Sequence, residues 1–98
     1  MDENTLVYSP DEVADFLQHL PGWEADANYK SITKTLIFPN FILAMTFVTD
    51  VADLAEEEQH HPDFHVTYGT VRLSLSTHDI GGLSENDFIM AAKINQIQ

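Results

Sequence analysis

Three of the five histidines in this 98-residue chain fall in two short stretches, Gln59-His60-His61-Pro62 and Thr77-His78-Asp79. Histidine is the side chain whose ordinary pKa lies near neutrality, so it can both give and take a proton there. Two adjacent histidines stopped by a proline, with a third about one hairpin later, have the composition of a proton-transfer site. Glu56-Glu57-Glu58 stand just before the pair. These carboxylates and the partial negative charge of a helix C-terminus both favour imidazolium, which suits a general acid. His78 follows a strand pattern in phase with its polar side, Arg72, Ser74 and Ser76, so a strand end and a helix end could converge on one substrate.

Other chemistry fits less well. Taken singly, each histidine reads as a surface residue at an element boundary; three of them near two element ends weaken that reading. A metal site could draw on His60, His61, His65 and His78 with Glu57 or Asp79. Adjacent histidines rarely point at one ion, however, and His65 lies past the proline on a new element. No helical H-x₃-H pair or H-E-x-x-H pattern is present. Gly81-Gly82 is too weak a signal for a phosphate loop, and no G-x-S-x-G elbow supports a serine nucleophile. Asp87 could orient or charge-balance a histidine, although locally it reads as part of a capping box. Trp23, Phe38, Phe41 and Phe47 read as core rather than as ligand contacts.

The elements that must position these residues are legible from caps and periodicity. Ser9-Pro10-Asp11-Glu12 opens a helix as a capping box with proline at its first position, and Val13, Phe16, Leu17 and Leu20 form its stripe. Pro21-Gly22 ends it. Residues 23–26 and 31–38 read as two strands around a turn near Ala27-Asn28. Asn40 then caps a long helix with the stripe Phe41, Ala44, Met45, Val48, Val51, Ala52 and Ala55, which Pro62 forbids to continue. Phe64, Val66 and Tyr68 alternate with polar residues, as do Val71, Leu73 and Leu75, and Gly69-Thr70 between them suits a two-residue hairpin turn. Ser84-Glu85-Asn86-Asp87 opens a last helix through Ile89 and Ala92. The order α-β-β-α-β-β-α predicts an α+β fold, a four-stranded antiparallel sheet with the three helices on one face.

Composition bounds the rest. The length suits one domain over residues 1–98. Sixteen acidic against four basic side chains leave a formal charge of −12, which repels nucleic-acid phosphates and anionic membranes. The chain has no cysteine, so it carries no disulfide or thiolate chemistry. Its acidic first residues do not resemble a signal peptide, and the apolar run over residues 41–45 is far too short to span a bilayer. A soluble cytoplasmic protein is expected.

Glu56, His60, His61, Pro62, Tyr68, His78 and Asp87 stand at the spacings of the pterin-4a-carbinolamine dehydratase signature, which the chain resembles. The surrounding text is similar too: Leu20-Pro21-Gly22-Trp23, Phe38-Pro39-Asn40-Phe41, and the run from Leu75 through Thr77-His78-Asp79 to Ser84. The resemblance spans residues 17–94. It implies a cofactor-free and metal-free hydro-lyase that converts 4a-hydroxytetrahydropterin to quinonoid dihydropterin plus water. His60, His61 and His78 would be the catalytic group. Gln59, Ser76, Thr77 and Asp79 would join them in lining the pterin site, with Glu56, Pro62, Tyr68 and Asp87 in support. It also implies the same four-stranded sheet with three helices, and a homodimer or homotetramer. Two departures stand out. Gln59 replaces an acidic residue common before the histidine pair, and Ile42-Leu43 stand where many members carry a basic residue. Animal members also serve a homeodomain transcription factor as dimerisation cofactors, a role that nothing in this chain supports. A non-catalytic pterin- or protein-binding module of the same fold is the alternative.

Overall fold

The first capping box forms as predicted. Ser9 Oγ accepts from the Glu12 N–H at 3.2 Å while the Ser9 N–H donates to Glu12 Oε1 at 2.8 Å, and helix α1 covers Pro10–Leu17. The computed structural model describes residues 7–97, apart from the side chain of His78. The predicted stripe runs on to Leu20, but α1 stops at Leu17. Tight turns from His19 N–H to Phe16 O and from Leu20 N–H to Leu17 O then carry Leu20 into the core. Phe16 is 39% exposed and packs against two rings, its centroid 4.6 Å from Phe88 and 5.0 Å from Tyr8.

The first two strands are shorter than predicted, β1 at Glu24–Ala25 and β2 at Ile32–Ile37. The reason is local. Asp26 Oδ1 accepts from the Lys30 and Ser31 amides at 2.8 and 3.4 Å, which closes the loop early. The Lys30 amide above all holds the Asp26 carboxyl below its ordinary range.

Helix α2, Phe41–Glu58, is capped by Asn40, whose Oδ1 accepts from the Leu43 N–H at 2.9 Å. Its buried line is Ala44, Phe47, Val51 and Ala55. The predicted stripe is therefore rotated: Val48 is half-buried, and Phe41, Met45 and Ala52 face solvent. Phe47 sets this phase, because its ring packs against Phe38 at 5.3 Å. Of the four aromatics read as core, Trp23 and Phe47 are buried and Phe38 packs against the core, whereas Phe41 is exposed.

Strands β3, Asp63–Thr67, and β4, Thr70–Leu75, form the second hairpin. Thr67 pairs with Thr70, so the turn is Tyr68-Gly69, one residue before the predicted Gly69-Thr70. Glycine is needed there by proximity: a Cβ on Gly69 would lie 2.6 Å from Phe38 O, and Gly69 O accepts the Phe38 N–H.

The four strands form one antiparallel sheet in the order β1-β2-β4-β3. Register puts Ile32 opposite Leu75 and Leu36 opposite Val71, on one apolar face. Thr35, Arg72 and His65 line up across the other. Side chains of α1, α2 and helix α3, Glu85–Ile97, cover the apolar face in a single core. On α3 the buried residues are Asp87, Phe88, Met90, Ala91 and Ile94, while the expected Ile89 and Ala92 point outward.

Candidate active site

The end of α2 determines where the histidine pair goes. Gln59 takes the left-handed conformation, φ 54°, and its N–H and that of His60 both close on Ala55 O. Such a residue turns the chain sharply away from the helix axis. Buried Pro62 follows, and β3 begins at Asp63.

The turn sends the two adjacent rings to different environments. His60 Nε2 lies 2.6 Å from Asp87 Oδ1, with 14% of the His60 side chain exposed and Asp87 fully buried. His61 Nε2 meets Glu56 Oε2 at 2.5 Å on the surface, where the two side chains are 57% and 75% exposed. The metal reading needed one ion shared by the adjacent imidazoles, but their Nε2 atoms face separate carboxylates. The acidic run is also partly compensated. Glu56 has His61 for company, and Glu58 accepts from Lys93 Nζ at 2.7 Å.

Asp87 is the junction of the site. Its Oδ1 faces His60 at the end of α2, and its Oδ2 accepts from Thr77 Oγ1 at 2.7 Å and from the Ser84 N–H at 3.0 Å. The Ser84 hydroxyl lies 2.8 Å from Thr77 Oγ1. The local reading of Asp87 as a capping residue holds for the Ser84 amide, and the same carboxylate also orients a histidine. Sequence reasoning found the cap and missed that it is buried. It also missed Ser84 as a side chain of the site. No local pattern marks either, because burial here comes from packing α3 against the strand ends.

Thr77 begins the loop that carries the third histidine. Its N–H donates to Gly82 O at 2.8 Å, closing a loop that contains a 3₁₀ turn at His78–Ile80. The backbone of His78 is thus one residue from Thr77, which the Asp87 junction connects to His60. The His78 side chain lies outside the described residues. Ser76 is half-buried and Asp79 exposed at the same loop, and Gln59 is exposed at the α2 end. Thr77 is itself buried, its hydroxyl engaged with Asp87 and Ser84. Tyr68 is not brought to the histidines. It stands 72% exposed in the hairpin turn, about 17 Å along β3 from the end that follows Pro62.

Comparison with known proteins points the same way. The model of the family described as pterin 4 alpha carbinolamine dehydratase matches residues 7–97. A relative from Thermomicrobium roseum, provisionally named as a pterin-4-alpha-carbinolamine dehydratase, is 44% identical over 87% of this chain and 89% of its own length. One from Chloroflexus aurantiacus with the same provisional name is 48% identical over 88% of this chain and 90% of its own. Among solved structures, a transcriptional coactivator/pterin dehydratase from Brucella melitensis superposes with a TM-score of 0.89 at 33% identity, covering 94% of this chain and 98% of that one. A pterin dehydratase-like protein identified as a RuBisCO assembly factor of the alpha-carboxysome shares the fold, with a TM-score of 0.67 at 21% identity over 81% of this chain and 92% of that one.

Proposed function

Since this chain belongs to the pterin-4a-carbinolamine dehydratase family, we propose that it dehydrates a 4a-hydroxytetrahydropterin to the quinonoid dihydropterin, as a hydro-lyase that uses histidines as general acid and base. The bond between C4a and the hydroxyl oxygen breaks as an acid protonates the leaving oxygen. A base takes the N5 proton, and the electron pair of the N5–H bond forms the C4a=N5 double bond. Water is the only other product. The reaction is redox-neutral and histidines carry both proton transfers, so the reading calls on no cofactor.

In this reading His61 and His78 exchange the acid and base roles while His60 assists, and Gln59, Ser76, Thr77 and Asp79 border the pterin. The observation that carries it is the buried Asp87 carboxylate, which bonds His60 at the end of α2 and Thr77 at the end of β4 and so draws together the two histidine-bearing segments. A pure scaffold has no need of titratable groups assembled in this way. The protein would act in the cytoplasm as a homodimer or homotetramer, with no contact to nucleic acid or membrane. No helix among the described residues is long and apolar enough to cross a bilayer.

Stopped-flow decay of freshly generated 4a-hydroxytetrahydropterin tests the reading. The wild type should accelerate the decay near neutral pH. His61→Ala and His78→Ala should each lower turnover at least about tenfold, since acid–base groups contribute roughly 10²–10⁴ in rate, with circular dichroism unchanged. Equal rates in wild type and both variants would sink the histidine mechanism. No acceleration by folded wild type would favour the binding module, a use of the fold for which the carboxysome assembly factor is a precedent.

A further inference from the structure

The hydrogen bonds around Asp87 have a direction. Asp87 is fully buried and can only accept as a carboxylate, so the Thr77 hydroxyl donates its one proton to Oδ2. With that proton committed, the 2.8 Å contact between Thr77 Oγ1 and Ser84 Oγ must use the Ser84 proton. The Ser84 amide donates to Oδ2 as well. Three donors therefore stack behind the carboxylate, and its other oxygen faces His60 Nε2 at 2.6 Å. An acceptor-only oxygen requires the proton of that contact to sit on Nε2. Ser84, Thr77 and Asp87 thus run as a one-way chain into the imidazole, and each link polarises the next in a low-dielectric interior.

From this chain we propose that Thr77 and Ser84 are positioning residues which, through Asp87, hold His60 in its Nε2–H form and leave Nδ1 as the nitrogen that serves the substrate. The proposal rests on the dehydratase reading for its substrate but not for the tautomer. His60 then assists the His61–His78 pair as a proton acceptor at Nδ1, and the imidazolium it becomes remains bonded to the Asp87 anion. All four polar groups are accounted for inside the protein, and no buried side-chain nitrogen or oxygen among the described residues lacks a partner. Full satisfaction is what allows a buried polar network to specify one geometry. His61 has no such backing, since its carboxylate neighbour is on the surface and free to reorient. The adjacent histidines are therefore not equivalent: one has a fixed tautomer and the other does not.

Long-range ¹H–¹⁵N correlation spectra of the free, ¹⁵N-histidine-labelled protein test the assignment without any substrate. With the His60 ring neutral, the wild type should show it as the Nε2–H tautomer. Thr77→Val removes the hydroxyl at nearly constant shape and should release a population of the Nδ1–H tautomer. In the pterin assay it should lower kcat at least about tenfold with a smaller change in KM, and Thr77→Ser should recover most of both effects. Ser84→Ala, which removes only the far end of the chain, should show the same tautomer shift in weaker form, and it keeps the test open if Thr77→Val does not fold. A merely structural role would lower stability and leave the tautomer unmoved. An Nδ1–H ring in the wild type, or folded variants with unchanged tautomer and unchanged kcat, would overturn the proposal. Folded wild type with the Nε2–H ring but no dehydratase activity would overturn the proposed function and leave the tautomer assignment standing.

Discussion

At the residue scale, the site depends on one strained position. Gln59 holds φ at 54°, a conformation that costs a non-glycine residue about 1–2 kcal/mol. Its side chain recovers part of this by donating from Nε2 to Glu56 O. The conformation has a clear consequence: it places His60 against Asp87 while His61 stays with Glu56. Glycine would adopt the same geometry without the steric penalty, at the cost of greater freedom in the unfolded chain. Gln59→Gly should therefore stabilise the protein by about 0.5–1 kcal/mol, read as a higher urea midpoint at unchanged slope. A lower midpoint would show that the Gln59 side chain contributes more than its backbone strain removes.

At the element scale, helix α3 is held at both ends by polar side chains. Asp87 fastens its start to the histidine segment, and Asn95 fastens its last turn to the opposite end of the core. Asn95 Oδ1 accepts from Trp23 Nε1 at 3.0 Å and from Lys34 Nζ at 2.7 Å, and its Nδ2 donates to Pro21 O at 3.3 Å. The loop that ends α1, strand β2 and helix α3 meet at this one amide. Burial lowers the pKa of Lys34 from its ordinary value, so its ammonium needs that acceptor. Asn95→Leu has similar volume but leaves the Trp23 indole N–H and the Lys34 ammonium without their acceptor. It should cost about 1–3 kcal/mol in chemical unfolding. A loss within error of zero would mean that water replaces the amide at no cost.

At the scale of the whole molecule, β3 bonds only to β4 among the described residues, which leaves the β3 edge of the sheet unpaired by them. Exposed strand edges are surfaces on which a second chain can extend a sheet. Apolar side chains are also left uncovered near one end of the sheet and the start of α2, with Ile37 83% and Ile42 76% exposed. These features support the homodimer or homotetramer reading, against the self-repulsion of a formal charge of −12. Sedimentation equilibrium at moderate ionic strength should give two or four times the monomer mass. A monomer across the accessible concentration range would remove the oligomer from the proposed function.

What the sequence determined by itself was decided within a turn or two of chain. The Ser9 box and the Asn40 cap formed where they were read, the element order and the antiparallel sheet followed from periodicity, and α2 stopped short of Pro62, at Glu58, where the left-handed Gln59 turns the chain. The signature spacing also brought the family with it. Tertiary structure decided the rest, because the deciding partners are remote. The phase of α2 was set by Phe47 against Phe38, so the stripe through Met45 and Ala52 was misplaced. The hairpin turn shifted by one residue because the strand register, with Gly69 against Phe38, and not turn propensity alone, determined it. Asp87 looked locally like the third residue of a capping box opened by Ser84, and its bond to the Ser84 amide is the half of that box that forms. That Asp87 is also buried against an imidazole 27 residues away depends on where the core places the ends of α2 and β4. A hydrogen-bond partner at that separation has no local signal, since its energy exists only once the packing around it has excluded water.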